Sequence, residues 1–328
     1  EVNAYGKKIK QVSIEKGLKG KTFRTTLDSQ VQIFSAKLLE NVSGASCVMD
    51  IYNGDIISMV SSPAFNPNSF VHGINHQEWK GLLNDRDKPM INKAISGLYP
   101  PGSTIKTLTA LSALENDVVS SKLVVKCKGF IDLHGERFHC WKKKGHGLVG
   151  MRTAIKQSCD VYFYEVSRKL GIDRLAATAK KFGLGEKVLE DYSEEKAGTV
   201  PNTKWKIKEL GKNWYLGETL HSGIGQGYFL TTPLQLSLMT AQIANGGFKI
   251  KPRILIDENN KVSNLQKYLN HKNSTPGNVM PTNDQIFNFD LQPLFRNQEN
   301  INLVKDAMFA ATNEVGGTSY RSRHANKD

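Results

Sequence analysis

Ser103 and Lys106 stand three residues apart in the stretch Tyr99–Leu114, YPPGSTIKTLTALSAL. Two prolines and a glycine lead into the serine. Ile105, Leu108, Leu111 and Leu114 then recur at a spacing that predicts a helix with one buried face. On a helix, residues i and i+3 are neighbours, so the hydroxyl and the amine can meet. A serine alcohol is a weak nucleophile until a base lies within hydrogen-bond reach. A lysine deprived of its charge by burial can be that base. The helix N-terminus adds free N–H groups and a positive dipole end for a developing oxyanion. The chemistry this favours is acyl transfer through a covalent serine. Ser13/Lys16 and Ser193/Lys196 repeat the spacing, but amid Glu15, Glu194 and Glu195, where a solvated lysine is the plainer reading. For Ser103 the plainer reading is a capping serine followed by a surface lysine.

Acyl transfer also needs a group that protonates the leaving amine and a shell that fixes proton positions. Ser158 and Asp160 offer a hydroxyl and a polar anchor, although Ser-x-Asp alone is a common capping pattern. Cysteine adds a second arrangement. Cys127, Cys140, His146 and Cys159 follow one another at intervals of 13, 6 and 13 residues. Three thiolates and an imidazole can close a tetrahedral zinc shell. The competing reading is a Cys127–Cys140 disulfide formed in an oxidising compartment. Cys47, among apolar neighbours, reads as core.

The elements that must position these residues suggest an α+β fold. Asp28 caps a predicted helix carrying Val31, Phe34, Leu38 and Val42 on one side and stopped by Gly44. Asn53-Gly54 lies between two β-rich runs, a hairpin signal over residues 45–62. Residues 63–89 read as loop, 151–171 as one helix ended by Gly171, and 173–182 as a short helix closed by Gly183. Residues 187–215 read as polar surface and 221–227 as a glycine-rich loop. Thr232-Pro233 starts a helix running to Asn245. A strand over 248–256, a polar insertion over 257–300 and a last helix over 301–312 complete the reading. The 39 % hydrophobic content suffices for a core, and no apolar run is long enough to span a membrane. The net charge is +13, but no nucleic-acid-binding motif accompanies it, so nucleic acid is not an expected partner.

Ser-x-x-Lys followed by Ser-x-Asp or Ser-x-Asn is the pattern of penicillin-binding proteins and serine β-lactamases. The likeness extends to SSPAFNPNSF (61–70), NKAISG (92–97), KGHG (144–147), SCDVYFY (158–164) and GIGQGYFLTTPLQL (223–236). Over residues 2–320 the chain resembles the penicillin-binding protein 2 family, the class B monofunctional transpeptidases of rod-shape elongation. The resemblance implies the penicillin-binding protein/serine β-lactamase-like transpeptidase fold, an antiparallel sheet between helical layers. It implies acylation by D-alanyl-D-alanine stem peptides of peptidoglycan and by β-lactam antibiotics. Ser103 then matches the acylated nucleophile, Lys106 its general base, Ser158 the proton relay, and Asp160 the third residue of the second motif, where many relatives have Asn. It also implies structural zinc on Cys127, Cys140, His146 and Cys159. A SEDS-type glycosyltransferase and elongation-complex proteins are the implied partners. The implied location is the periplasm, as a domain of a protein anchored in the inner membrane.

The family's third motif, Lys-Thr-Gly or Lys-Ser-Gly, does not follow Gly317-Thr318, and Lys196-Ala197-Gly198-Thr199 aligns with a different segment. Residues 1–26 are expected as the remnant of an N-terminal pedestal region. Residues 27–328 are expected as a transpeptidase domain whose sheet is incomplete and whose own turnover is weak. A β-lactamase or D,D-carboxypeptidase on the same fold, or a non-catalytic penicillin sensor or scaffold, are the alternative readings.

Overall fold

The computed structural model describes residues 3–5, 7, 9, 19–71, 73–189, 192–256, 265–267, 270 and 291–323. Most of the expected tail over 2–12 and of the insertion over 257–300 lies outside them.

At the centre is helix α4 (Ile105–Glu115), which follows a 3-10 turn at Gly102–Thr104. The one-sided burial expected from its leucine spacing is replaced by burial all round, from Ile105 to Leu114. The reason is neighbours on every side: α4 packs against α5 (Met151–Lys156), α6 (Asp160–Leu170), α7 (Ile172–Lys181), α9 (Leu216–Gly223) and α11 (Gln298–Asn313). Its polar residues are satisfied inside the core. Thr109 Oγ1 donates to the Gly223 carbonyl at 3.0 Å, and Ser112 Oγ lies 2.8 Å from Thr178 Oγ1. A fully buried helix beside Ser103 is a rigid mount.

The expected hairpin is β1 (Gly44–Met49) with antiparallel β2 (Ile56–Ser62), joined by a turn in which Asp50 Oδ1 accepts from Tyr52 and Asn53 N–H. Helix α1 (Ser29–Leu38) packs on β2, and α3 (Lys93–Ser96) and α10 (Pro233–Ala244) pack on β1. Asp28 caps α1 as expected, but Phe34, Leu38 and Val42 are exposed rather than buried. The face of α1 is set instead by Gln32, whose side chain bonds Ser58 Oγ and the Met59 backbone. Thr232 and Gln235 close a capping box at the start of α10.

Several expectations are corrected. Residues 63–89 contain α2 (His76–Asn84), started by reciprocal bonds between Asn75 and Glu78. Residues 187–215 are not mere surface. They hold α8 (Thr203–Leu210) and bury Lys206, paired with Glu218, and Glu195, which accepts from the Val188 and Leu189 N–H groups. Residues 216–223 form α9, so only the end of the 221–227 stretch is loop. Residues 248–256 make isolated bridges rather than a strand, because Pro252 cannot donate to a ladder. The 151–171 helix is two helices. Among the described residues no helix is long and apolar enough to cross a membrane.

Between α4 and α5 lies a small β substructure. β3 (Val124–Cys127) pairs with β6 (Gly147–Gly150), and β4 (Phe130–Leu133) pairs with β5 (Glu136–His139), all antiparallel. The first register sets Cys127 opposite Gly147, the residue after His146, while the second hairpin returns the chain to Cys140.

Candidate active site

The break in the expected helix carries the site. α5 ends in a Schellman motif: Ser158 N–H donates to the Ile155 carbonyl at 3.1 Å and Cys159 N–H to that of Ala154 at 2.9 Å. The left-handed position of this motif is usually glycine, and Gly183 occupies it at the end of α7. At the end of α5 it is Ser158, with φ 52°. The chain then reverses through Cys159 and starts α6 at Asp160. This turn points the Ser158 hydroxyl at Ser103, and the two Oγ atoms are 2.9 Å apart.

Ser103 and Lys106 are near neighbours as expected, but Ser158 stands between them. Lys106 Nζ donates to Ser158 Oγ at 2.9 Å, to the Ser158 carbonyl at 3.0 Å and to Asp160 Oδ1 at 2.6 Å. Ser158 Oγ in turn donates to Ser103. The chain of donors thus runs from Lys106 to Ser158 to Ser103, and it reverses only when the lysine is a neutral amine that can accept and the hydroxyls rotate. Reversed, it draws a proton from Ser103; as it stands, it delivers one outward. Lys106 is only 1 % exposed and all three of its N–H groups are engaged, so its position is fixed. Asp160 Oδ2 accepts the Trp141 backbone N–H at 2.9 Å, which fixes the carboxylate as well.

Ser103 lies in the turn that opens α4, where backbone N–H groups lack helical partners. Residues 224–227 press on that turn. Gly102 N–H donates to the Gly225 carbonyl at 2.9 Å, and a Cβ on Gly225 would stand 2.1 Å from the Gly102 oxygen. Gly225 also has φ +77°, so glycine is required there twice over. Lys196–Thr199, the near match to the third motif, lies elsewhere: Lys196 N–H bonds the Ile95 carbonyl and Thr199 bridges Leu230.

Cys127, Cys140, His146 and Cys159 converge, with their donor atoms all within 4.8 Å of one another. His146 Nδ1 is 3.6 Å from Cys127 Sγ and 3.5 Å from Cys140 Sγ. Tetrahedral geometry with metal–sulfur and metal–nitrogen bonds of about 2.3 and 2.0 Å sets sulfur and nitrogen about 3.5 Å apart. The donor set therefore fits a closed site with no position left for water. Gly145, with φ +77°, lets the loop close over Cys127, whose carbonyl would meet a Cβ at 2.2 Å. None of the four cysteines is joined in a disulfide in this structure. A hydrogen bond from the Cys159 thiol pulls Cys140 down to about 5, and the same bond with burial pushes Cys159 far up. Cys47 stands apart on β1, its thiol pushed up to about 11 by burial.

Sequence reasoning missed Trp141. Its indole Nε1–H donates to the Gln157 carbonyl at 3.1 Å and to that of Ser158 at 3.0 Å. Its only signal in the sequence is its place directly after Cys140.

Known proteins resemble this chain over most of its length. The penicillin binding protein transpeptidase domain matches residues 44–321. The peptidoglycan D,D-transpeptidase MrdA of Acinetobacter baumannii is 38 % identical over 257 residues, 78 % of this chain and 38 % of the relative. The MrdA of Salmonella typhimurium is 33 % identical over 326 residues, 99 % of this chain and 50 % of the relative. PBP2 from Helicobacter pylori, solved in complex with MreC, superposes with a TM-score of 0.81 at 32 % identity, over 100 % of this chain and 56 % of its own. PBP2 of Pseudomonas aeruginosa, solved with WCK 5153, gives 0.77 at 34 % identity, over 91 % and 64 %. The chain spans half or less of the length of these curated relatives. With its transpeptidase fold and its Ser103–Ser158–Lys106 chain of hydrogen bonds, the chain belongs to the penicillin-binding protein transpeptidase family.

Proposed function

We propose that the chain carries the acyl-serine site of a peptidoglycan D,D-transpeptidase of cell elongation. The observation that supports this most is the unbroken Lys106–Ser158–Ser103 hydrogen-bond chain on a buried helix mount. Ser103 Oγ attacks the carbonyl between the two terminal D-alanines of a stem peptide. With Lys106 as the neutral amine, the proton passes to it through Ser158. The Ser103 backbone N–H stabilises the oxyanion. Collapse breaks the peptide bond, and the proton returns through Ser158 to the departing D-alanine amine. A second stem's amine then attacks the ester carbonyl, forms the cross-link and frees Ser103. A β-lactam follows the first half: its ring amide breaks, the leaving nitrogen stays tethered, and the ester persists.

The reading extends to setting and partners. The Helicobacter pylori relative is solved with MreC, and another structural relative is described as part of a peptidoglycan synthase complex. By analogy this chain would work beside an elongation-complex scaffold and a SEDS-type glycosyltransferase, in the periplasm, on a protein anchored in the inner membrane. We also assign a structural zinc ion to Cys127, Cys140, His146 and Cys159. When bound it supplies a clamp on Cys159, between the relay serine and its anchor. Metal analysis of protein purified without chelator is expected to find close to one equivalent, and less than about a tenth would refute the assignment.

The test of the main reading is intact-mass measurement of the whole protein after benzylpenicillin. One adduct is expected on the wild type and none on Ser103→Ala. An unmodified wild type, or a modified Ser103→Ala, would overturn it. Retention of the adduct over hours separates a transpeptidase from a β-lactamase.

A further inference from the structure

Trp141 is 59 % exposed, yet both of its N–H groups are directed inward. The backbone N–H holds Asp160 Oδ2, and the indole N–H bridges the carbonyls of Gln157 and Ser158. The ring lies edge-on to His146, with centroids 5.4 Å apart and planes at 68°. No core cavity holds this indole, so the hydrogen bonds fix its place. One of them falls on Ser158, a residue that needs support. Ser158 is a non-glycine residue in left-handed geometry, and such residues persist where their surroundings hold them. Its carbonyl has two donors, Lys106 from one side and Trp141 from the other.

We propose that Trp141 is a positioning residue for acylation of Ser103, its indole N–H holding the Ser158 peptide so that the relay hydroxyl stays in line between Lys106 and the nucleophile. The proposal rests on the acyl-serine reading above. It needs no contact between Trp141 and substrate. It also assigns a job to the loop after Cys140 that is separate from metal binding, since the two carbonyls it holds belong to the end of α5.

Trp141→Phe tests this. Phenylalanine keeps a ring edge toward His146 and leaves the backbone N–H on Asp160; only the indole donor goes. A second variant places benzothienylalanine at this position, which preserves the two-ring shape and replaces N–H with sulfur. Stopped-flow acylation of the intact protein by benzylpenicillin separates the dissociation constant of the first complex from the acylation rate constant. In both variants the rate constant is expected to fall about five- to tenfold, the effect of one lost hydrogen bond, with the dissociation constant and melting temperature little changed. The fall is expected to be equal at every pH, because the missing donor does not titrate. A rate constant within about twofold of wild type in both variants, or a fall that only follows loss of folded protein, overturns the proposal. A wild type that is not acylated at all overturns the acyl-serine reading instead, so the two failures are distinct.

Discussion

Removing the carboxylate of Asp160 should cost the protein both stability and acylation. In the folded chain Lys106 is 1 % exposed and its Nζ lies 2.6 Å from Asp160 Oδ1, with the carboxylate side chain 13 % exposed. Asp160→Ala leaves a buried ammonium facing a small cavity. Deleting one partner of a buried pair costs about 3–5 kcal/mol. The Trp141 backbone N–H also loses its acceptor, but at an exposed residue water replaces it, so little is added. Because the carboxylate keeps 13 % exposure, the low end applies, about 3 kcal/mol. At about 2–4 °C per kcal/mol for domains of 150–250 residues, the melting temperature should fall by about 6–12 °C. Asp160→Asn keeps one acceptor for the two donors and should cost about half as much. Thermal denaturation followed by circular dichroism reads both, and benzylpenicillin acylation reads the parallel loss of activity. If Asp160→Ala melts within about 2 °C of wild type, the pair is not holding Lys106 and the reasoning fails.

Two other perturbations test neighbouring parts. Gly225→Ala puts a Cβ 2.1 Å from the Gly102 oxygen at a residue with φ +77°, so it should push the Ser103 turn out of place. Acylation by benzylpenicillin is expected to fall by more than about tenfold, and a wild-type rate would show that the contact is dispensable. Glu314 accepts from Arg152 and Lys156, whose hydrogen bonds pull its carboxyl down to about 2 from an ordinary 4.5. The folded value lies below the unfolded one, so this cluster stabilises α5 against α11 above about pH 4.5 and the contribution fades as pH falls toward 2. Glu314→Gln should therefore flatten the acid limb of melting temperature against pH, and an unchanged limb would refute the assignment.

Much of the site was legible because its residues are the chemistry. Ser103 and Lys106 stand out by type and spacing, Ser158 and Asp160 only beside the family resemblance, and all four meet within one hydrogen-bond network. The helix start at Thr232 and the hairpin at Asn53-Gly54 were legible for a similar reason: local hydrogen bonds fix them. The break at Ser158 was not. Gln157-Ser158-Cys159 contains neither glycine nor proline, and the turn is imposed by packing and by bonds from Lys106 and Trp141, which are distant in sequence. The same limit hid the route from Lys106 to Ser103 through Ser158, since helical spacing brings two side chains close without saying what fits between them. Exposed Phe34 and Leu38 on α1, and buried Lys206 on α8, reverse the polarity rule because Gln32 and Glu218 decide those faces through hydrogen bonds.

The left-handed backbone at Ser158 narrows the choice of residue more than the chemistry alone would. Threonine carries the same hydroxyl and in most relays would be the natural exchange. At φ 52° its second branch on Cβ crowds the backbone, so that exchange is closed. Glycine or asparagine would sit comfortably in the turn but cannot pass a proton from one neighbour to the next. Serine alone among these satisfies the backbone and the relay, so this position has no near substitute through which the sequence could drift.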